Sequence, residues 1–140
     1  MPSAYAEGRD LHTLTARNLT SCEDVSKDER KLAKAVNFGL LYGMGAQGLR
    51  SYVLRNYGIK MSLGEAALYR RRFFQTYPGL KEWHDNQRRV WHRGETETRT
   101  LTGRRRMGVE RLTDRLNAPV QGTAADGLKL ALALLWERSD

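Results

Sequence analysis

Arg30-Lys31-Leu32-Ala33-Lys34-Ala35-Val36-Asn37-Phe38-Gly39-Leu40-Leu41-Tyr42-Gly43 is the stretch whose spacing organises the rest of the chain. On a helical wheel advancing about 100° per residue, Arg30, Lys34, Phe38 and Tyr42 fall within an arc of about 120°. Leu32, Val36 and Leu40 lie opposite, with Ala33 beside them. One face is aliphatic and suited to a core; the other carries two cations followed by two rings. Ser26 and Glu29 have capping-box spacing, so the helix should start near Lys27 and run to about Tyr42, where Gly43 and Gly45 interrupt it.

Each four-residue step climbs ~6 Å, which gives the stripe a length of ~18 Å. That suits an extended nucleoside triphosphate, phosphates at the cationic end and base at the aromatic end. Arg offers a forked donor and Lys a mobile point charge, while a ring can pack on a sugar or base. Periodicity alone is also served by an ordinary wetted helix face. Two aromatics on that face count against this reading, as does Gly39, which costs about 1 kcal/mol relative to Ala in mid-helix and suggests a close approach.

Working outward, a helix is expected over residues 10–18 and another from about Gln47 to Asn56, with Gly58 as its stop. Ser62 and Glu65 form a second capping box, opening a helix that ends before Tyr77-Pro78-Gly79. Leu80 to Arg93 reads as helical. Residues 96–102 are Thr-rich and read as a strand, with Gly103 at a turn. Asn117 is expected to cap a last helix from about Pro119 to Arg138, apolar enough to be buried on most sides.

The 140 residues carry 24 Lys and Arg against 16 Asp and Glu, a formal charge of +8. A polyanion is the natural partner, nucleic acid ahead of membrane, although charge alone also fits a merely soluble basic protein. A lone cysteine, Cys22, leaves no internal disulfide framework or cysteine-based zinc site and fits a reducing, cytoplasmic setting. No apolar run approaches the ~20 residues of a membrane span. The opening residues lack the layout of a signal peptide.

Arg30-x3-Lys34-x3-Phe38-Gly39-x2-Tyr42-Gly43 resembles motif B, the O helix of the fingers in family A DNA polymerases. Gly8-Arg9-Asp10-Leu11-His12-Thr13 resembles the segment leading into the fingers. Asn117-Ala118-Pro119-Val120-Gln121-Gly122-Thr123-Ala124-Ala125-Asp126 resembles the palm helix before motif C, and Leu101-Thr102-Gly103-Arg104-Arg105-Arg106 is a weaker fourth block in the same order.

The resemblance implies a mainly α fragment of a polymerase hand, with at most a short β hairpin. Residues 8–103 would be a fingers-like segment and residues 104–140 the start of a palm-like segment with a long C-terminal helix. It implies that His12, Arg30, Lys34, Phe38 and Tyr42 bind the incoming dNTP, with Phe38 against the sugar. Tyr42, Gly43, Met44, Arg104, Arg105, Arg106 and Gln121 would meet the DNA template-primer, the arginines at backbone phosphates and Gln121 at the minor groove.

The family's chemistry uses Mg²⁺ held by two aspartates, in an upstream Asp-Tyr-Ser strand and a downstream His-Asp-Glu turn. Neither motif occurs here. Trp83-His84-Asp85-Asn86 resembles the second only superficially and reads as a helix surface. Between Arg106 and Asn117 the chain is shorter than many relatives, so contacts from that loop do not carry over. The expected protein is a fragment of a nucleotidyltransferase acting in replication or repair, of bacterial or phage type and nucleoid-associated. It should be inactive alone and need the missing remainder of the polymerase. The alternatives are a non-enzymatic basic helical DNA-binding module, a polymerase remnant, or a piece of a single-subunit RNA polymerase. Asn37-Phe38-Gly39 argues against the last.

Overall fold

The computed structural model describes residues 6–138, which hold six helices and one two-stranded hairpin. The helices are α1 (Leu11–Thr20), α2 (Lys27–Leu41), α3 (Ala46–Tyr57), α4 (Leu63–Thr76), α5 (Pro78–His92) and α6 (Leu112–Glu137). Strand β1 (Thr98–Arg99) precedes β2 (Arg105–Arg106), and the two pair antiparallel with Thr98 opposite Arg106 and Arg99 opposite Arg105. The chain forms two compact units that divide between Trp83 and His84, within α5.

In the first unit the helix ends follow local chemistry. Ser26 and Ser62 both complete capping boxes: each hydroxyl accepts from the backbone N–H three residues on, and Glu29 and Glu65 accept from the cap N–H. Asp10 caps α1 by accepting from the His12 and Thr13 backbone N–H groups. Gly58 ends α3 in the left-handed conformation expected of it. The helices then bury one continuous apolar cluster. Ala33, Val36 and Leu40 of α2 meet Leu19, Leu49, Val53, Ala66 and Phe73 from the helices around them. Phe73 is the largest fully buried side chain and stacks edge-on with Phe74 and Tyr77. The aliphatic arc of α2 is therefore buried, as its spacing predicts.

Gly39 is mid-helix because α3 comes close. A Cβ there would lie 3.1 Å from both the Leu49 Cδ1 and Met44 Sδ atoms. The chain reverses at Gly43, whose φ of 82° suits a residue without a side chain, and Met44 folds back to bond the Gly39 carbonyl.

The second unit is built differently. Its few buried residues are Val109, Leu116, His84, Thr98 and Arg115. Buried Arg115 is paired from several directions: its guanidinium donates to Gln87 Oε1 at 3.0 Å and to the Glu95 carbonyl at 2.8 Å, with the Glu95 carboxylate beyond. Three expectations are corrected here. The last helix begins at Leu112 rather than Pro119, and Asn117 lies inside it instead of capping it. Pro119 has no N–H and leaves the Arg115 carbonyl without its helical partner, yet the helix extends back through it because Arg115 and Leu116 are anchored in the interior.

The end of that helix is also not buried: Leu128, Leu130, Leu132, Leu134, Leu135 and Trp136 are 45–79% exposed, because apolar composition alone does not supply a covering surface. Finally, His84 is buried at 5% exposure instead of lying on a helix surface. Two further expectations hold in outline. The Thr-rich stretch does supply a strand, shortened to two residues, and Gly103 makes the turn at φ 87°.

Candidate functional site

The first unit presents the stripe on a continuous helix. Arg30 and Lys34 are exposed, Phe38 is 45% exposed, and Tyr42 is half-buried at the C-terminal end of α2. Phe38 is thus a large ring left half-open on a helix whose other face is closed by the core.

Helix α1 brings a third element to this face. Asp10, besides capping α1, accepts from Arg30 Nε at 2.7 Å. That contact leaves the two terminal nitrogens of Arg30 available, and it fixes the guanidinium at the cationic end of the stripe. The Arg30 and Thr13 hydrogen bonds, in that order, hold the Asp10 carboxyl well below the usual carboxylate range. Lys34 makes no ion pair among the described residues.

His12 sits two residues into α1 with its ring centroid 6.4 Å from that of Phe38. Its Nδ1 is 2.9 Å from Asn37 Nδ2. Burial pushes its pKa down, the nearby Arg30 and Lys34 charges add to that, and Asp10 opposes it. Four of the predicted residues, His12, Arg30, Lys34 and Phe38, thus share one face, with Tyr42, Gly43 and Met44 following at its aromatic end. The arrangement offers charge and directed N–H donors to a polyanion at one end and a flat apolar surface at the other.

The second unit holds a separate basic surface. A shallow cavity of about 230 Å³ lies between the hairpin and α6, lined by Arg99, Arg104, Arg106, Asn117 and Gln121 among others. The three consecutive arginines differ sharply. Arg104 is tied to α6 through Asp126 at 2.6 Å and the Gly122 carbonyl at 3.2 Å. Arg105 is held by Glu97. Arg106 has no ion pair among the described residues. The bonds from Thr102, before those from Arg104, hold Asp126 below its ordinary pKa.

The hairpin lies so close to α6 that a Cβ on Gly122 would come within 2.6 Å of Thr100 Cγ2. Gln121 is exposed beside it, and Asn117 Oδ1 is buried without a partner among the described residues. Sequence reading missed Asp10 and Asn37 as organisers of the first site and Arg99 and Asn117 as walls of the second. All four sit inside or next to the quoted blocks, but nothing local marks what they touch.

The comparisons with known proteins agree with one another. A profile described as "DNA polymerase family A" matches residues 1–139. DNA polymerase I of Aquifex aeolicus is 44% identical over 137 residues, 96% of this chain and 24% of that protein. The thermostable DNA polymerase I of Thermus thermophilus is 38% identical over 148 residues, 96% of this chain and 17% of that one. Among solved structures, the POL domain of Pol1 from M. smegmatis, in complex with DNA primer-template and dNTP, superposes with a TM-score of 0.73 at 31% identity, covering 92% of this chain and 24% of that chain. The chain thus spans about a quarter or less of the length of these relatives. With the ordered blocks, the helical architecture and these matches all concurring, the chain belongs to DNA polymerase family A.

Proposed function

We propose that this chain is the nucleotide-gripping part of a template-directed DNA polymerase of replication or repair. The incoming dNTP would be held by His12, Arg30, Lys34, Phe38 and Tyr42. Template-primer would be met by Tyr42, Gly43, Met44, Arg104, Arg105, Arg106 and Gln121. The carrying observation is the exposed order of cation, cation, ring, ring along unbroken α2, with His12 drawn in beside Phe38. The complex of the M. smegmatis relative with primer-template and dNTP supports it.

Arg30 and Lys34 would take the phosphates, and Phe38 would lie on the sugar. Tyr42 and Gly43 would gate the templating position, closing only on a correct pair. On the second surface, free Arg106 and exposed Gln121 are the stronger contributors. Arg104 and Arg105, already paired, would mainly hold the hairpin in place.

The family's Mg²⁺ does not fit the residues of this chain. Magnesium takes oxygen ligands, while the first site offers Arg, Lys, His and amide groups that suit anions. Among the described residues no group of three or more His, Cys, Asp or Glu could hold a metal. The metal and the chemical step therefore belong to the remainder of the polymerase hand, and this chain alone should bind nucleotide weakly and not extend a primer.

The fingers-like part would be residues 8–103 and the palm-like part 104–140, in a nucleoid-associated cytoplasmic protein of a bacterium or phage. The exposed apolar side of α6 is the surface by which this piece would seat on that remainder. No helix is long and apolar enough to cross a membrane among the described residues.

Lysine-modification footprinting tests the reading. Free dNTP should protect Lys34, and a photoreactive dNTP should crosslink near Tyr42. Salt-sensitive DNA binding with no dNTP effect at Lys34 would favour a non-enzymatic DNA-binding module or a remnant instead. In an assembled polymerase, Phe38→Tyr should weaken discrimination against dideoxynucleotides by supplying a hydroxyl where the 3′-OH is missing; equal use of both substrates by the unmutated enzyme would contradict this.

A further inference from the structure

Asn37 occupies a core position of α2, between Val36 and Phe38, and is only 7% exposed. Its neighbours on that arc are alanine, valine, glycine and leucine. A polar amide there is costly unless it is satisfied, and only part of it is. Asn37 Nδ2 reaches His12 Nδ1 at 2.9 Å, while Asn37 Oδ1 is buried with no partner among the described residues. Among the described residues, the one directed contact this side chain makes is with a ring on another helix, 25 residues earlier. The apolar cluster is made by its neighbours Ala33, Ala35, Val36 and Leu40, and Asn37 is not a member of it.

The chemistry of the contact decides where the imidazole proton sits. An amide nitrogen carries hydrogens and accepts nothing, so Nδ1 must be the acceptor and the ring proton is on Nε2. The His12 main chain is anchored separately, by the Asp10 cap on its backbone N–H. Nε2 lies on the far side of the ring from Asn37 and has no partner among the described residues. The charged groups facing the ring are Asp10 at the start of α1 and Arg30 and Lys34 on α2. Burial and the two cations disfavour imidazolium, which outweighs the opposing carboxylate.

We propose that Asn37 is a positioning residue that locks His12 in the Nε2–H tautomer and presents that N–H, away from the core, to a phosphate oxygen of the bound triphosphate. Its ligand rests on the nucleotide reading given above; the tautomer does not. A fixed neutral donor gives a directional hydrogen bond whose strength does not change with protonation near neutral pH. The two cations of the stripe supply the charge, and His12 supplies the angle.

The test uses the 140-residue chain. Long-range ¹H–¹⁵N spectra of the histidine rings, followed over pH, are recorded for the unmutated chain, Asn37→Asp and Asn37→Leu, with His84 and His92 as internal references. The unmutated chain should show His12 protonated on Nε2, with a midpoint below that of an ordinary histidine. Asn37→Asp should move the proton to Nδ1 and raise the midpoint, because a carboxylate accepts where the amide donated. Asn37→Leu should give a tautomer mixture, with the reference histidines unmoved.

A proton on Nδ1 in the unmutated chain, or a tautomer and midpoint unchanged in both variants, overturns the proposal. If the buried charge of Asn37→Asp prevents folding, the unmutated spectrum and Asn37→Leu decide it. Titration with inorganic tripolyphosphate separates this inference from the reading beneath it. Asn37→Leu should weaken binding about 2-fold, because in a roughly even tautomer mixture only the Nε2–H fraction of rings presents the donor. An Nε2–H ring without tripolyphosphate binding by the unmutated chain would sink the nucleotide reading and leave the tautomer assignment standing. Binding by a chain whose ring is protonated on Nδ1 would do the reverse.

Discussion

The two units use apolar side chains in opposite ways. In the first, the aliphatic arc of α2 is closed against α1, α3 and α4, and the only large ring left out on that helix is Phe38, in line with two cations. In the second, α6 holds the greater store of leucines, and Leu128, Leu130, Leu132, Leu134 and Leu135 all lie open with Trp136. The first unit is amphipathic and can satisfy itself; the second has an interior of a few residues and a long apolar rod beyond it. A single exposed ring within a satisfied helix is a local feature, whereas an exposed run along an unsatisfied one is a continuous apolar surface.

The contrast is broken most directly by truncation. Phe73→Ala should cost the first unit about 3–5 kcal/mol, the range for a buried aromatic. Leu130→Ala should stay within about 0.5 kcal/mol in this chain, as for an open surface position. Urea denaturation compares them, and equal losses would mean that α6 is covered in solution. Next in size is the ligand side of the comparison. Lys34→Ala should weaken dNTP binding about 10- to 100-fold, the worth of a hydrogen bond to a charged group, while leaving the melting temperature nearly unchanged. A drop in melting temperature without loss of binding would make Lys34 a structural residue.

In the second unit the arginines should separate by their partners. Arg106→Ala should lower the slope of log affinity for duplex DNA against log salt by about one, whereas Arg105→Ala, which removes an already paired cation, should change it less. The reverse order would show that the Glu97 pair opens on binding.

The smallest effect is in pH. His12 has a folded pKa below its unfolded value, so between the two the unfolded chain binds more protons and stability rises with pH. Stability of the first unit should therefore decline as pH is lowered through about 6.5, the ordinary histidine value. His12→Gln should flatten that decline in thermal melts, and an unchanged profile would assign it to another group.

Much of the first unit was legible because its instructions are local. Ser26 with Glu29 and Ser62 with Glu65 close their boxes within four residues, Gly58 stops its helix in place, and the buried arc of α2 follows from period alone. The order of the stripe was legible for the same reason. What joins it to α1 was not: the Asp10–Arg30 and His12–Asn37 contacts cross 20 and 25 residues, and no periodicity encodes a meeting of two helices.

In the second unit a local rule misled. Pro119 after Asn117 has the form of a helix start, but burial of Arg115 and Leu116 outweighs one lost hydrogen bond. The open α6 leucines were misjudged because composition measures a residue's preference for burial without supplying the surface that would bury it. The pairing of Arg104 and Arg105 was equally hidden, since each partner comes from a different turn of the chain.

One carboxylate, that of Asp10, both begins α1 and braces Arg30. Its depressed pKa means that it stays ionised throughout the ordinary range, and the stabilisation it gives is lost only in strong acid, as pH falls toward the folded value. Because a single proton then releases both attachments, fraying of the first turn of α1 and swinging of the Arg30 side chain must set in together. Amide exchange at His12 and Thr13 and broadening of the Arg30 Nε–H resonance should share one acid midpoint, two reporters on separate helices answering to the same oxygen pair.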